Sequence, residues 1–106
     1  ISLWHGRGNP RTMGAIAQSL SRYAGDGDSQ FYVMGHFHQS MMIPFYKEQR
    51  DTRPKNVKLQ KVVAALGSSF LEYWGNYGER AGFRACDVLM PRVVLTPDGR
   101  WEATIR

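Results

Sequence analysis

A run of β-forming residues, 31–34, leads into the motif Gly-His-x-His, whose histidines are His36 and His38. Phenylalanine, tyrosine and valine favour strands, so we expect a strand that carries both histidines. Side chains alternate along a strand, and residues two apart point to the same face roughly 7 Å from each other. The motif therefore predicts two imidazoles facing one site, at a spacing that suits neighbouring metal ions about 3.5 to 4 Å apart.

A His-x-His motif also arises by chance, and the segment before it decides how much weight it carries. Residues 1–4 resemble the end of a strand, and His5 follows at the junction with a loop rich in glycine and proline. A helix is predicted next, because apolar residues recur with a period of three to four from Met13 to Ala24. Thr12 is its predicted N-cap and Gly25 its predicted C-cap.

Strand, helix and strand at this length predict a βαβ unit with parallel strands. The carboxyl ends of both strands then lie at one edge of the sheet, where binding sites of open α/β sheets are found. His5, His36 and His38 are the three histidines of the chain, and all fall at that edge. The pattern favours a common metal site, although capping or core packing could explain individual histidines.

The rest of the chain is predicted to be largely β-structure. We expect 41–46 to turn back as an antiparallel neighbour of the His36 strand, and 57–66 to return, which brings 67–69 near the histidines. Short turns are expected between Phe70 and Gly82. A strand starting near Cys86 should lead into a hairpin around the turn Pro-Asp-Gly at 97–99, in which proline presets φ and glycine accepts a positive φ.

The net charge of +5 invites a nucleic-acid interpretation, so its distribution matters. Six basic and two acidic residues lie between Lys47 and Lys61, and this stretch holds most of the excess. No aromatic residue interleaves it after Tyr46, so the stacking platform of single-strand binders is missing there. A solvated loop remote from the histidines is the favoured interpretation, with a basic binding surface as the alternative.

The ends and the cysteine content bear on context. The chain begins inside an apolar, β-like stretch without an initiator methionine, so we expect a segment of a longer protein or a processed product. No signal peptide or apolar run near 18 residues is visible. Cys86 is the single cysteine and is interpreted as structural, which predicts a cytoplasmic protein without a membrane partner.

The residues Leu-Trp-His-Gly at 3–6, followed by a helix and by Val-Met-Gly-His-Phe-His at 33–38, resemble the carboxyl-terminal half of the calcineurin-like metallophosphoesterase superfamily. The Gly-Ser at 67–68 is similar to one that many members carry near the site. The resemblance implies an α/β fold, a partial metallophosphoesterase-type β-sandwich flanked by helices. In it, a βαβ unit precedes antiparallel strands and a C-terminal β-hairpin, and residues 1–106 form one unit, the C-terminal part of a larger domain.

The resemblance also implies a function. His5 and His36 would ligate one ion and His38 another, in a dinuclear centre of manganese, iron or zinc, the borderline metals that imidazole suits. Arg7 and Asn9, on the loop after His5, could contact the substrate phosphate. The substrate would be a phosphomonoester or phosphodiester, including a nucleotide or nucleic acid.

The early motifs of the superfamily, Asp-x-His, Gly-Asp and Gly-Asn-His, have no match in this chain. They supply the bridging carboxylate and a catalytic histidine, so no catalytic residue is assigned here. We expect hydrolysis to need the N-terminal half of the same domain as a partner. The alternative function is a basic nucleic-acid-binding or structural module whose histidines are not catalytic.

Overall fold

The computed structural model of the chain describes residues 1–50, 57–70, 74 and 87–106. Within these residues the fold is mixed α/β, with a four-stranded sheet, a helix and a two-stranded hairpin. In chain order the elements are β1 (Ser2–Trp4), α1 (Met13–Asp26), β2 (Phe31–Met34), β3 (Met41–Arg50), β4 (Val57–Leu66), β5 (Pro91–Leu95) and β6 (Trp101–Ile105).

The sheet has the strand order β1-β2-β4-β3. Strands β1 and β2 are parallel, which confirms the predicted βαβ unit. The prediction that β3 pairs with β2 is wrong, because β4 lies between them, parallel to β2 and antiparallel to β3. Strand β4 takes this central place since Val62–Leu66 is buried throughout. Strand β3 contains Pro44, whose missing N–H suits the edge of a sheet.

Helix α1 begins where the sequence places it and ends slightly later. The Thr12 side chain accepts a hydrogen bond from the Ala15 N–H at 3.2 Å, as an N-cap does. The helix continues past the predicted cap at Gly25 to Asp26, and Gly27 is the C-cap. Its apolar stripe, Ile16, Leu20 and Ala24, is buried. Burial of this stripe fixes the helix on one face of the sheet.

The sheet is covered on both faces. One core cluster joins α1 to Tyr32, Met34, Val62, Ala64 and Leu66. A second cluster joins Phe31, Val63 and Ala65 to hairpin residues Val93, Trp101 and Ala103. The molecule therefore has three layers, with the helix, the sheet and the hairpin in that order.

The C-terminal hairpin is confirmed, with a different start. Strands β5 and β6 are antiparallel and joined through the predicted turn, where Gly99 has φ 84°. Strand β5 begins at Pro91, so 87–90 lie outside regular structure, contrary to the predicted strand start. Cys86 itself, and most of the turns expected between Phe70 and Gly82, fall outside the described residues. Within the described part of the chain, no helix has the length and apolar character needed to cross a membrane.

Candidate metal site

The register of β1 against β2 brings His5 and His36 together. Trp4 is aligned with Met34, the last residue of each strand. The Gly35 N–H then donates to the Trp4 carbonyl at 3.2 Å, so the two chains stay joined beyond the strands. His5 and His36 emerge from this joined end.

The prediction that His36 and His38 extend strand β2 is wrong. The strand ends at Met34, and the two histidines have φ values of 76° and 54°, in the left-handed region. Phe37 between them is buried in the core, and its N–H donates to the Gly35 carbonyl at 3.0 Å. Burial of this ring holds the turn, and both histidines still line one pocket. Their proximity comes from a tight turn rather than from strand alternation.

His5 and His36 contact each other through ring nitrogens. The distance from His36 Nδ1 to His5 Nε2 is 3.2 Å, and that from His36 Nε2 to the Gly8 carbonyl oxygen is 2.8 Å. A carbonyl can only accept, so His36 Nε2 carries the proton and donates. His36 Nδ1 therefore presents its lone pair toward His5.

This arrangement fits a divalent transition-metal ion. Two nitrogens bound to one tetrahedral ion at about 2.0 to 2.1 Å lie about 3.3 to 3.4 Å apart, close to the observed separation. A metal-ligating histidine commonly donates its other ring N–H to a backbone carbonyl, as His36 does to Gly8. In the metal-free state the same geometry is satisfied by a hydrogen bond in which His5 Nε2–H donates. A metal ion would replace that proton.

The histidines lie in a pocket of about 540 Å³ at the carboxyl edge of β1, β2 and β4. The segment after β4 reaches it, as predicted. Ser68 is fixed there, because its N–H donates to the Leu89 carbonyl and its Oγ accepts from the Leu89 N–H at 3.0 Å. The described lining comprises His5, Gly35, His36, His38, Gly67, Ser68, Ser69, Phe70 and Met90.

The electrostatics favour neutral imidazole at His38. Partial burial lowers the pKa of His38 below its usual value, and the nearby His36 and His5 lower it further. A neutral imidazole is the form that binds metal.

A dinuclear centre also needs acidic ligands to hold its two ions. Among the described residues, no group of three or more histidine, cysteine or carboxylate side chains is arranged to hold an ion. The described pocket thus supplies imidazoles without a bridging carboxylate.

Arg7 and Asn9 are not among the described residues that line the histidine pocket, although Gly8 between them contacts His36 through its carbonyl. Arg7 lines a separate groove between β1 and α1.

Residue patterns did not point to the Gly8 carbonyl, because a backbone acceptor leaves no mark on residue type. They did not point to Met90 either. The predicted return of 57–66 and the resemblance of the Gly-Ser at 67–68 both pointed to the 67–69 segment.

Two lysines of the basic stretch are engaged within the fold. Lys47 Nζ donates to the carbonyls of Ala24 and Gly27 at the end of α1. Lys61 Nζ lies 5.0 Å from the centre of the Trp101 ring, a cation–π distance. Residues 51–56, the centre of the predicted basic loop, lie outside the described residues. Lys47 and Lys61 therefore make contacts within the fold.

Comparison of the chain with protein-family models, with curated proteins and with solved structures finds no match.

Proposed function

We propose that this chain contributes imidazole ligands to a transition-metal centre that hydrolyses phosphoesters. The observation that carries the proposal is the His5–His36 pair, with nitrogens 3.2 Å apart and His36 oriented by the Gly8 carbonyl. The resemblance of the His-Gly and Gly-His-x-His motifs to the metallophosphoesterase superfamily supports the phosphoester part. It also supports manganese, iron or zinc as the metal and a metallophosphoesterase-type β-sandwich as the complete fold.

The roles of the residues follow from their positions. His36 presents Nδ1 and His5 presents Nε2 to one ion, and His38 would serve a second ion from the same pocket. Bound divalent ions supply Lewis acidity and lower the pKa of coordinated water. The Gly8 carbonyl holds the His36 ring in place, and the 67–69 segment also lines the pocket.

Catalysis needs acidic ligands beyond those described. A two-metal site requires a carboxylate to hold both ions, and the described residues do not offer one there. We propose that it comes from an N-terminal half of the same domain, as the resemblance implies, in a cytoplasmic protein. Metal binding by the histidines is therefore the property to test first in this chain.

The experiment is a calorimetric titration of the 106-residue chain with Zn²⁺ and Mn²⁺ at pH 7.5. We expect His5→Ala and His36→Ala each to weaken binding of the first ion at least tenfold, since each removes one of two adjacent ligands. Gln18→Ala, an exposed polar residue on α1, is the control and should leave affinity unchanged. Equal affinity in all four proteins would refute the site.

A second measurement tests the substrate class. A site with few protein ligands leaves coordination positions open, so the Zn²⁺-loaded chain should bind dimethyl phosphate, and His36→Ala should not. The nucleic-acid alternative predicts binding that depends on basic side chains and not on metal or histidine. If single-stranded DNA binds equally well with and without metal, and Lys58→Ala weakens it while the histidine variants do not, the alternative function is favoured.

A further inference from the structure

Strand β1 lies at one edge of the sheet, and its outer side pairs with no other described strand. It lies first in the order β1-β2-β4-β3 and pairs only with β2 among the described strands. The Trp4 carbonyl accepts from Gly35 and so faces β2. Successive residues of a strand direct their backbone groups to opposite sides, so the N–H and C=O of Leu3 face outward. The Leu3 side chain is also 75% exposed.

A groove runs between this edge and helix α1. Its volume is about 580 Å³, and its aromatic floor is formed by Trp4 and Tyr23, whose ring centres are 5.2 Å apart. Ser2 Oγ and the Tyr23 hydroxyl share a hydrogen bond of 2.6 Å, which ties the strand to the helix. The aromatic side chains of the groove are therefore held in place without a ligand.

Two arginines line the same groove. Arg7 and Arg22 are exposed, and neither forms an ion pair with another described residue. Asp26 also lies in the lining, which leaves one cation in excess. A guanidinium matches a carboxylate through two parallel hydrogen bonds. The charges therefore complement an acidic ligand.

We propose that the edge of β1 binds an extended, acidic segment of a partner protein as an added strand. A free backbone edge beside a helix-lined groove is the arrangement used in strand addition, in which main-chain hydrogen bonds give affinity and side-chain pockets give specificity. The outward N–H and C=O of Leu3 pair with the segment. Its carboxylates reach Arg7 and Arg22, and its apolar side chains cover Leu3.

Other occupants fit less well. A second copy of this chain would bring its own Arg7 and Arg22 beside the first pair, placing like charges together. A nucleotide could use the arginines and the Trp4 ring, but it would leave the Leu3 backbone edge unpaired. The proposal does not depend on the histidines, so it can be tested independently of the metal site.

The test uses the 106-residue chain and two synthetic nine-residue peptides, one alternating valine and glutamate and the other valine and lysine. We expect the acidic peptide to bind at least tenfold more tightly than the basic one and to slow hydrogen exchange of the Leu3 amide. Arg22→Gln should weaken binding about fivefold. Arg92→Gln, an exposed arginine on β5, controls for the general positive charge and should change nothing.

A backbone variant provides an independent check. Leu3→Pro removes the outward N–H and should abolish peptide binding, with an unchanged circular dichroism spectrum and thermal unfolding transition as the sign that the protein is folded. The proposal is overturned if both peptides bind alike, if Arg92→Gln weakens binding as much as Arg22→Gln, or if the Leu3 amide is unaffected. Binding of adenosine monophosphate at the groove without binding of the acidic peptide would also overturn it.

Discussion

His5 Nε2 lies 3.2 Å from His36 Nδ1, although 31 residues separate the two histidines in the chain. The contact follows from the pairing of Trp4 with Met34 in parallel strands. A register shift of one residue along β1 would move His5 by about 3.3 Å and break it. The candidate metal site is therefore a property of the sheet, and residues that hold the strand ends together should control it.

Gly6 lies where the ends of β1 and β2 meet, close to His36. It has φ 87°, and an added Cβ would lie 3.2 Å from the Gly35 carbonyl oxygen and 3.3 Å from His36 Cβ. We expect Gly6→Ala to displace His36 and weaken Zn²⁺ binding about tenfold, measured by calorimetry. Gly99→Ala is the matched control, because Gly99 has φ 84° with open space around it. Both changes should cost roughly 1–2 kcal/mol in backbone strain, but only Gly6→Ala should alter metal affinity.

The absence of a side chain at Gly27 allows the chain to pass close to the Tyr32 ring. An added Cβ would lie 2.3 Å from the Tyr32 hydroxyl oxygen, which also accepts a hydrogen bond from the Ser29 N–H at 2.8 Å. Gly27→Ala should therefore lower the free energy of unfolding by about 1–3 kcal/mol, as overpacking does. Gly25→Ala meets nothing within 4 Å in the last turn of α1. It should be neutral or stabilising by up to about 1 kcal/mol, and urea denaturation compares the two. Equal destabilisation by both would contradict the steric explanation.

Lys47 caps helix α1 from a neighbouring strand. Its ammonium group donates to the carbonyls of Ala24 and Gly27 and lies 5.2 Å from the centre of the Tyr32 ring. Cations at a helix C-terminus are favourable, so Lys47→Met should lower the unfolding free energy by about 1–2 kcal/mol. Lys58→Met, at an exposed position of β4, should change it little. Thermal unfolding of both variants checks this, and a similar loss in each would exclude the capping role.

The pH dependence of the metal-free chain should reflect His38. Its pKa is lowered first by burial and then by His36 and His5. The unfolded chain therefore binds a proton at this residue more readily than the folded one. The His38 contribution to stability is complete above the unfolded pKa of about 6.5 and is lost as the pH falls through that value toward the folded pKa.

Proton NMR titration of the three imidazoles measures this directly. We expect a His38 midpoint below 6.5. His36→Ala should raise that midpoint only part of the way, because burial is the larger cause. A midpoint at or above 6.5 in the unsubstituted chain would contradict the environment described for His38.

Local patterns in the sequence were enough to predict much of the fold. The period of apolar residues between Met13 and Ala24 specified an amphipathic helix, and a helix between two short strands favours a parallel pair. The Pro-Asp-Gly turn specified the C-terminal hairpin in the same way. The edge of the sheet that carries His5 and His36 follows from these local rules. Whether the histidines bind metal stays a prediction.

Long-range packing sets the features that local rules leave open. Strand β4 pairs with β2 because its Val62–Leu66 half can be buried on both sides, and this choice depends on the competing strand as much as on β4 itself. His36 and His38 adopt left-handed conformations because Phe37 between them is buried in the core. The Gly8 carbonyl orients His36 through a loop contact that no residue type encodes. Local residue patterns therefore specify the helix, the hairpin and the sheet edge where the histidines lie, whereas long-range packing sets the strand order and the geometry of the histidine pair.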